Sequence, residues 1–417
     1  MSKVNEHIKL IPNLRFPEFE DSGEWEIDLF SNFIKLYRGS SPRPINKFLT
    51  KNENGVNWIK IGDTKYAKSY VLGKVEQKIT IEGSKKSTRV TKGELILANS
   101  MSYGATYELQ INGCIYDGWF VLREYAKSFN KQYLLQLLNS NFLQQQYKRL
   151  AAGGIVKNIS SEIVYNTKLP KPSKQEQQKI AAFLSNLDEL IEAHKQKLEW
   201  LKRHKKGLMQ NHFPQEGEKV PKWRFPEFKD SGEWVEKKLG EIANFINGRA
   251  YKQDELLSEG KYRVLRVGNF FTNNEWYFSD LELDEDKYCD NGDLLYAWSA
   301  SFGPRIWKGE KVIYHYHIWK VKNKEEVDKQ FLYNLLDYET LRMKSKTLNG
   351  FALMHITKGT IENWDSIIPK SKKEQQKIAS CLSSIDEIIT AEAEKIVQLE
   401  RHKKGLMQGL FPQLSAL

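Results

Sequence analysis

The sequence is poor in cysteine and lacks every familiar catalytic signature. Its 3 cysteines, Cys114, Cys289 and Cys381, are odd in number and far apart. That spacing excludes a disulfide framework and a cysteine-rich zinc site, and leaves ordinary buried thiols. No apolar run approaches the ~20 residues a membrane-spanning helix needs, and residues 1–10, with Lys3, Glu6 and Lys9, hold no apolar signal segment. A cytoplasmic protein with no membrane partner is expected. There is no G-x-x-x-x-G-K-[ST] phosphate loop, no H-E-x-x-H, no G-x-S-x-G elbow and no Asn-Pro dipeptide of the Asn-Pro-Pro-aromatic kind. Glu285-Asp286-Lys287 has the E-x-K form of many nucleases but sits in an acidic run without an upstream carboxylate partner, and reads as solvated surface. His315 and His317 would share one face of a strand, yet no third metal ligand is evident, so a packed pair and no metal site are expected.

What the chain does have is size, charge and repetition. Its 417 residues, 40% hydrophobic and 28% charged, suit two domains of roughly 100 to 200 residues each. The net charge is +11, which makes a polyanionic partner plausible. The charge is uneven: residues 34–169 hold 21 basic and 9 acidic groups, residues 243–368 hold 17 and 19. If both stretches bind nucleic acid, the second must rely on local placement of Arg and Lys.

An internal duplication organises the sequence. Arg15-Phe16-Pro17-Glu18-Phe19 and Asp21-Ser22-Gly23-Glu24-Trp25 recur as Arg224-Phe225-Pro226-Glu227-Phe228 and Asp230-Ser231-Gly232-Glu233-Trp234. Glu176 to Ala181 (EQQKIA) recurs from Glu374, and His204 to Gln210 (HKKGLMQ) from His402, both at an offset of 198. Residues 92–100 align more weakly with residues 291–299. Two variable blocks thus alternate with two near-identical ones. The near-identical blocks read as long helices. Ser173-x-x-Glu176 and Ser371-x-x-Glu374 have the form of capping boxes, in which the Glu reaches back to the Ser N–H. Ile180, Leu184, Leu187, Ile191, His194, Leu198, Leu201, Lys205 and Leu208 keep a 4,3 spacing, and Ile378 to Leu406 keep the same one, as a coiled-coil seam does. About 33 residues would make a rod of roughly 50 Å. Gly207 and Gly405 are candidate C-terminal caps. His194 and Glu392 occupy the middle layers, and an antiparallel pairing would either set them face to face and fix the register or let both side chains bend to solvent at a weak layer.

The variable blocks show short β-prone runs, at residues 56–61, 94–98, 114–122, 262–267, 293–298 and 312–321, each block ending in an apolar helical stretch. The class is α+β: two globules in tandem repeat, each followed by a long helix that carries a coiled-coil seam. Short polar side chains, Arg and aromatic residues recur at matching places and suit DNA reading. In the first block these are Arg38, Arg43, Lys60, Lys65, Asn99, Ser100, Ser102, Tyr103, Lys157 and Asn158. In the second they are Arg249, Tyr251, Lys252, Arg266, Asn269, Trp298, Ser299, Ser301, Phe302, Arg305, Asn349, His355 and Lys358. Each alone is as compatible with solvated surface or, for Trp298, with core.

A variable segment ending in Leu169-Pro170 or Ile368-Pro369, then E-Q-Q-K-I-A and an L-x-x-[LI]-D helix (184–188, 382–386), occurring twice, resembles the specificity subunit of type I restriction-modification systems across essentially the whole chain. The resemblance implies an N-terminal segment at 1–33, globular target recognition domains at 34–169 and 243–368, helical spacers at 170–215 and 369–417 whose two helices form an antiparallel coiled coil, and a repeat linker at 216–242. It implies a non-catalytic subunit that binds double-stranded DNA at a bipartite target and docks two methyltransferase subunits, with restriction-translocase subunits in the restriction form. No cofactor is then expected in this chain, S-adenosylmethionine and ATP with Mg belonging to the partners. The residues alone also allow a two-headed protein-protein adaptor, or a nuclease with an unfamiliar site.

Overall fold

A computed structural model describes residues 11–100, 104–151, 158–271, 274–299, 302–346 and 356–412. The chain divides into two compact units, one of Met1–Lys197 with Glu392–Leu417, the other of Leu198–Ala391. The division cuts both long helices, Lys174–His212 and Lys372–Leu410. Each unit therefore holds the start of one helix and the end of the other, rather than standing apart from a separate spacer.

In the first unit an antiparallel ribbon pairs Glu26–Leu29 with Lys168–Lys171, bringing the start of the repeat beside the strand that leads into the helix. One five-stranded sheet runs in the order Lys35–Arg38, Trp119–Arg123, Leu95–Ala98, Thr106–Leu109, Val71–Leu72, antiparallel except for its last pair. The other runs Leu49–Thr50, Gln77–Ile79, Val56–Ile59, Gly113–Ile115, Thr88–Val90, with Val56–Ile59 and Gly113–Ile115 parallel. The central strand Leu95–Ala98 is buried throughout, because the two faces of a strand alternate and here both are covered. Leu95 and Leu97 join Phe120, Leu122, Tyr133, Leu134 and Leu184 in one core. Ile96 and Ala98 join Ile59, Ile115, Trp119 and Val121 in another.

The second unit repeats this plan. Its ribbon pairs Val235–Lys238 with Asp365–Ile368. One sheet runs Ala243–Asn247, Ile318–Asn323, Leu294–Ala297, Gly303–Ile306, all antiparallel. The other runs Tyr277–Ser279, Tyr262–Leu265, Val312–Tyr314, Tyr288–Cys289, with Tyr262–Leu265 and Val312–Tyr314 parallel. The sequence duplication is a duplication of topology.

The structure corrects several expectations. The runs 114–122 and 312–321 are not single strands. Each is two strands in different sheets, separated by a turn at residues 116–118 or 315–317. The Trp119 N–H donates to the Tyr116 carbonyl at 3.2 Å, and the Ile318 N–H to the His315 carbonyl at 2.9 Å. A Cβ at Gly39 would lie 2.0 Å from the Tyr116 carbonyl oxygen, and one at Gly248 would lie 2.4 Å from that of Tyr314, so only glycine fits where the strand meets this turn. His315 and His317 accordingly sit on a turn rather than on one face of a strand. The apolar helical stretch of the first block is two helices, Lys131–Leu138 and Asn141–Ala151. The Asn139 side chain at the break exchanges two hydrogen bonds with the Thr106 backbone, at 3.0 and 2.9 Å.

The first capping box is also only half formed. Ser173 Oγ accepts the Glu176 N–H at 3.2 Å, but the Glu176 carboxylate is held by Arg15 Nε and Nη2 at 2.7 and 2.9 Å. In the second unit Arg224 grips Glu374 the same way, at 2.8 Å twice, and Trp234 Nε1 adds a donor at 3.1 Å. A guanidinium offers two charged donors in carboxylate geometry and outcompetes one backbone amide. The third Arg nitrogen donates to Gly23 or Gly232 at 2.6 Å. Both glycines have φ of +73°. The adjacent Gln177 and Gln375 are buried too and bond backbone groups of their own units, among them Asn130 N and Asp328 N at 2.7 and 2.8 Å.

Along the helices, Ile180, Leu184, Ile191 and Leu201, with Ile378, Leu382 and Ile396, are buried as the seam requires. Within the first unit the helix segments run antiparallel: Lys403 Nζ meets both Asp188 oxygens at 2.6 Å, and His194 Nδ1 lies 2.5 Å from Glu392 Oε1. Lys197 Nζ takes the other Glu392 oxygen at 2.9 Å. These two neighbours, Lys197 foremost, hold the Glu392 carboxyl below its ordinary range. In the second unit Lys205 Nζ meets Asp386 Oδ1 at 2.8 Å. Gly207 and Gly405 are not caps. The helices continue to His212 and Leu410, because Met209 and Phe213, and likewise Leu410 and Phe411, are buried in the domain cores. That burial outweighs the ~1 kcal/mol helix cost of a glycine.

Two outcomes follow from this packing. Arg224→Ala leaves a carboxylate only 2% exposed without its charged partner and should cost about 3–5 kcal/mol of stability. Arg224→Ala combined with Glu374→Leu should recover much of that loss in urea titrations. Burial, reinforced by His317 and Arg266, pushes the His315 imidazole down to about 4, whereas an unfolded chain protonates it near its ordinary value of 6.5. As pH falls through that window the unfolded state takes up the proton first, so stability is full above about 6.5 and declines toward 4. His315→Gln should remove roughly 1–2 kcal/mol of that acid-side decline, allowing for the ring's partial exposure. The check is the wild-type minus variant unfolding midpoint at pH 7.5 and pH 4.5.

Candidate nucleic-acid interface

The two turns shape equivalent clefts. The Asn99 N–H donates to the Gly118 carbonyl at 2.9 Å, and the Trp298 N–H to that of His317 at 3.1 Å. Beyond each, the Ile159 N–H reaches the Asn99 carbonyl at 2.7 Å and the Ile356 N–H reaches that of Trp298 at 3.1 Å. The chain then enters a short helix, Ser161–Tyr165 or Lys358–Glu362, capped by Ser160 or Thr357. Even a side-chain bond is matched. Asn99 Nδ2 donates to the Asp117 carbonyl at 2.9 Å, and Trp298 Nε1 to that of Tyr316 at 2.7 Å.

The linings differ. The first cleft, about 340 Å³, presents Arg38, Asn99, Asn158, Ser160 and Ser161 over Phe120. The second, about 460 Å³, presents Trp298, Tyr316 and Lys358 over Trp319. Trp298 stacks on the buried Trp319, centroids 5.7 Å apart and planes 19° apart, while Tyr316 stays exposed. Trp298 is thus both cleft wall and cap of the core beneath. On the lip of the first cleft Arg38 Nε reaches the Asp117 carbonyl at 3.3 Å, and Arg43 Nη2 lies 3.8 Å from the Asp117 carboxylate. A hydrogen bond from Ser41, with the charges of Arg43 and Arg38, holds the Asp117 carboxyl below its ordinary range.

Of the residues singled out in sequence, Arg38, Asn99 and Asn158 line the first cleft, and Trp298 and Lys358 the second. Arg43 joins the first lip through Asp117, and Ser100 pairs with Asn158 and lies 3.3 Å from the Tyr116 hydroxyl. Lys60 is the N-cap of the 3-10 segment Ile61–Tyr66, and Lys65 lies within that segment and pairs with Glu76. Arg249 is committed to Glu255 through two bonds at 2.8 and 2.7 Å. Tyr251 stacks near His315, Lys252 donates its backbone N–H to Glu255, and Arg266 lies over the Tyr277 ring at 4.2 Å. Asn269 donates to the Glu275 carbonyl at 2.9 Å, Ser299 is buried, Lys344 lies over Phe302, and Arg305 sits opposite Leu295 in an edge strand. Ser102, Tyr103, Lys157, Ser301, Asn349 and His355 lie outside the described residues.

Sequence reasoning missed Asp117, Tyr316, Phe120, Trp319, Ser160 and Thr357. Asp117-Gly118 is a turn dipeptide and could have marked the first turn, whereas Tyr316 in Tyr314-His315-Tyr316-His317 carries no such signal. Among the described residues no group of three or more His, Cys, Asp or Glu is placed to hold a metal. Nor is any helix among them long and apolar enough to cross a membrane.

The comparisons with known proteins agree on one family. The model described as "Type I restriction modification DNA specificity domain" matches residues 24–203 and again 231–401. The MjaVIII type I restriction enzyme specificity subunit of Methanocaldococcus jannaschii is 26% identical over 427 residues, covering 97% of this chain and 95% of its own. The putative MjaX specificity subunit of the same organism is 27% identical over 302 residues, covering 70% of this chain and 69% of its own. In fold, the crystal structure of the S subunit from M. genitalium matches with a TM-score of 0.56 at 16% identity, covering 97% of this chain and 100% of that one. A chain from a structural study of type I R-M assembly matches at 0.57 and 18%, covering 93% and 97%. With two matched copies on two equivalent folded units, the chain belongs to the family of type I restriction-modification DNA specificity subunits.

Proposed function

We propose that the two clefts are the sites at which this subunit reads the two halves of a bipartite double-stranded DNA target. The observation that carries this reading is the pairing of matched backbone geometry with unmatched linings. A frame that holds side chains at the same place twice, while changing which side chains they are, suits two different half-sites. Polar groups in the first cleft suit hydrogen bonds to base edges, and aromatic groups in the second suit apolar contact with thymine methyls or deformable steps. The near-identical helices suit the docking of two methyltransferase subunits, with restriction-translocase subunits joining in the restriction form. S-adenosylmethionine and ATP with Mg are then handled by those partners, and this chain is a non-catalytic subunit that sets where they act. No observation favours the adaptor reading.

The purified chain is expected to transfer no methyl group to DNA, and to support adenine methylation at a split sequence only with a methyltransferase partner. Methyl transfer by the chain alone would refute the division of labour. Arg38→Ala and Lys358→Ala, both at exposed positions, test independent reading. Each should relax one half of the target and leave the other intact, with a loss of about 1–3 kcal/mol for a residue reading a base. A uniform loss across all sequences, with a shallower salt dependence, would reassign that residue to phosphate contact.

A further inference from the structure

We propose that Asp117, on the lip of the first cleft, is a specificity-determining residue that commits its half-site to a G·C base pair. The inference rests on the cleft being a reading site and goes further by naming what is read.

A carboxylate facing a phosphate-rich duplex is repelled unless something offsets its charge. Here the offset is local: Ser41 donates a hydrogen bond to the Asp117 carboxylate, and Arg43 Nη2 stands 3.8 Å from it. The Asp117 carbonyl meanwhile holds the Asn99 side chain at 2.9 Å and Arg38 Nε at 3.3 Å. One turn residue therefore gathers Arg38, Arg43 and Asn99. Two features show that the carboxylate is not simply fold machinery. Its side chain is 43% exposed, and the second unit builds the same turn with Tyr316, whose carbonyl does the equivalent work.

The chemistry selects a base pair. An ionised carboxylate only accepts, and a guanidinium only donates. Placed side by side, Arg43 and Asp117 present two donors followed by an acceptor. In the major groove a G·C pair offers the complement, the N7 and O6 acceptors of guanine and then the N4 donor of cytosine, whereas an A·T pair alternates acceptor, donor, acceptor. The second cleft has no carboxylate at this place and carries no such demand.

The test uses the full chain co-expressed with its methyltransferase partner in cells free of other adenine methylation, the modified sites being read by single-molecule sequencing. In the half-site that Arg38→Ala relaxes, the wild type should specify a G·C pair. Asp117→Asn, which keeps the shape but removes the charge, should lower discrimination at that pair by on the order of tenfold or more. The other half-site and the thermal midpoint should not move, and Arg43→Ala should relax the same pair. A half-site without a G·C pair, an unchanged motif in Asp117→Asn, or an even loss of methylation with the motif intact would each overturn the proposal. Failure of the underlying reading would look different, since the wild-type complex would then show no bipartite motif.

Discussion

The interaction on which each unit depends is the buried clamp between Arg15 and Glu176, and between Arg224 and Glu374. Its members are 161 and 150 residues apart in sequence and nearly without solvent contact, at 6% and 1% exposure in the first pair. A buried ion pair of this kind contributes little net stability over an apolar pair of similar volume. Its consequence is geometric: a bidentate guanidinium tolerates little displacement, so the start of each repeat is fixed against the first turn of its long helix. The ribbons Glu26–Leu29 with Lys168–Lys171 and Val235–Lys238 with Asp365–Ile368 close the same junction beside it. Everything between, the whole of a reading domain, hangs from a base that does not change when its tip does.

That separation of base from tip explains how two clefts came to differ without losing their shape. The contacts that build them are backbone contacts, the amides of Asn99, Ile159, Trp298 and Ile356 among them, and a glycine where the strand meets the turn. The backbone contacts are indifferent to the side chains that line the clefts, and only the glycine is held to one identity. The first cleft could therefore become polar and the second aromatic on one frame. Under the proposed function the same logic answers the charge imbalance, because a cleft lined by Tyr316 and Trp298 over Trp319 would need less positive field than one reading through Arg38 and Arg43.

The duplication, the helical seam and the α+β class were legible in sequence because each is a periodic or repeated signal. The clefts were legible only in part. Residues 114–122 and 312–321 read as β-prone runs, and although Asp117-Gly118 is a turn dipeptide in the first, no local signal in either says that the chain changes sheets there, where the turn packs closely against Gly39 or Gly248. Asp117 and Tyr316 went unseen for that reason. Nor does sequence show that Arg249 is gripped by Glu255 through two hydrogen bonds. Glu176 and Glu374 looked like ordinary capping residues because their partners lie more than a hundred positions away.

The helices solve a different problem, that of register. A seam of leucine and isoleucine alone tolerates sliding, since one apolar layer resembles the next. Charged residues placed in it remove that freedom, because a slipped layer would bury Lys403 without Asp188, or Lys205 without Asp386, and an unpaired buried charge costs several kcal/mol. Asp188 and Asp386 are equivalent positions of the repeat, as are Lys205 and Lys403, so the same lock is built once in each unit with the roles of the helices exchanged. Glu392, held between His194 and Lys197, adds a further polar layer in the first unit. None of these groups lines either cleft. Register is thus fixed by residues that a change of target sequence leaves untouched, and this lets the geometry of the subunit persist while its specificity changes.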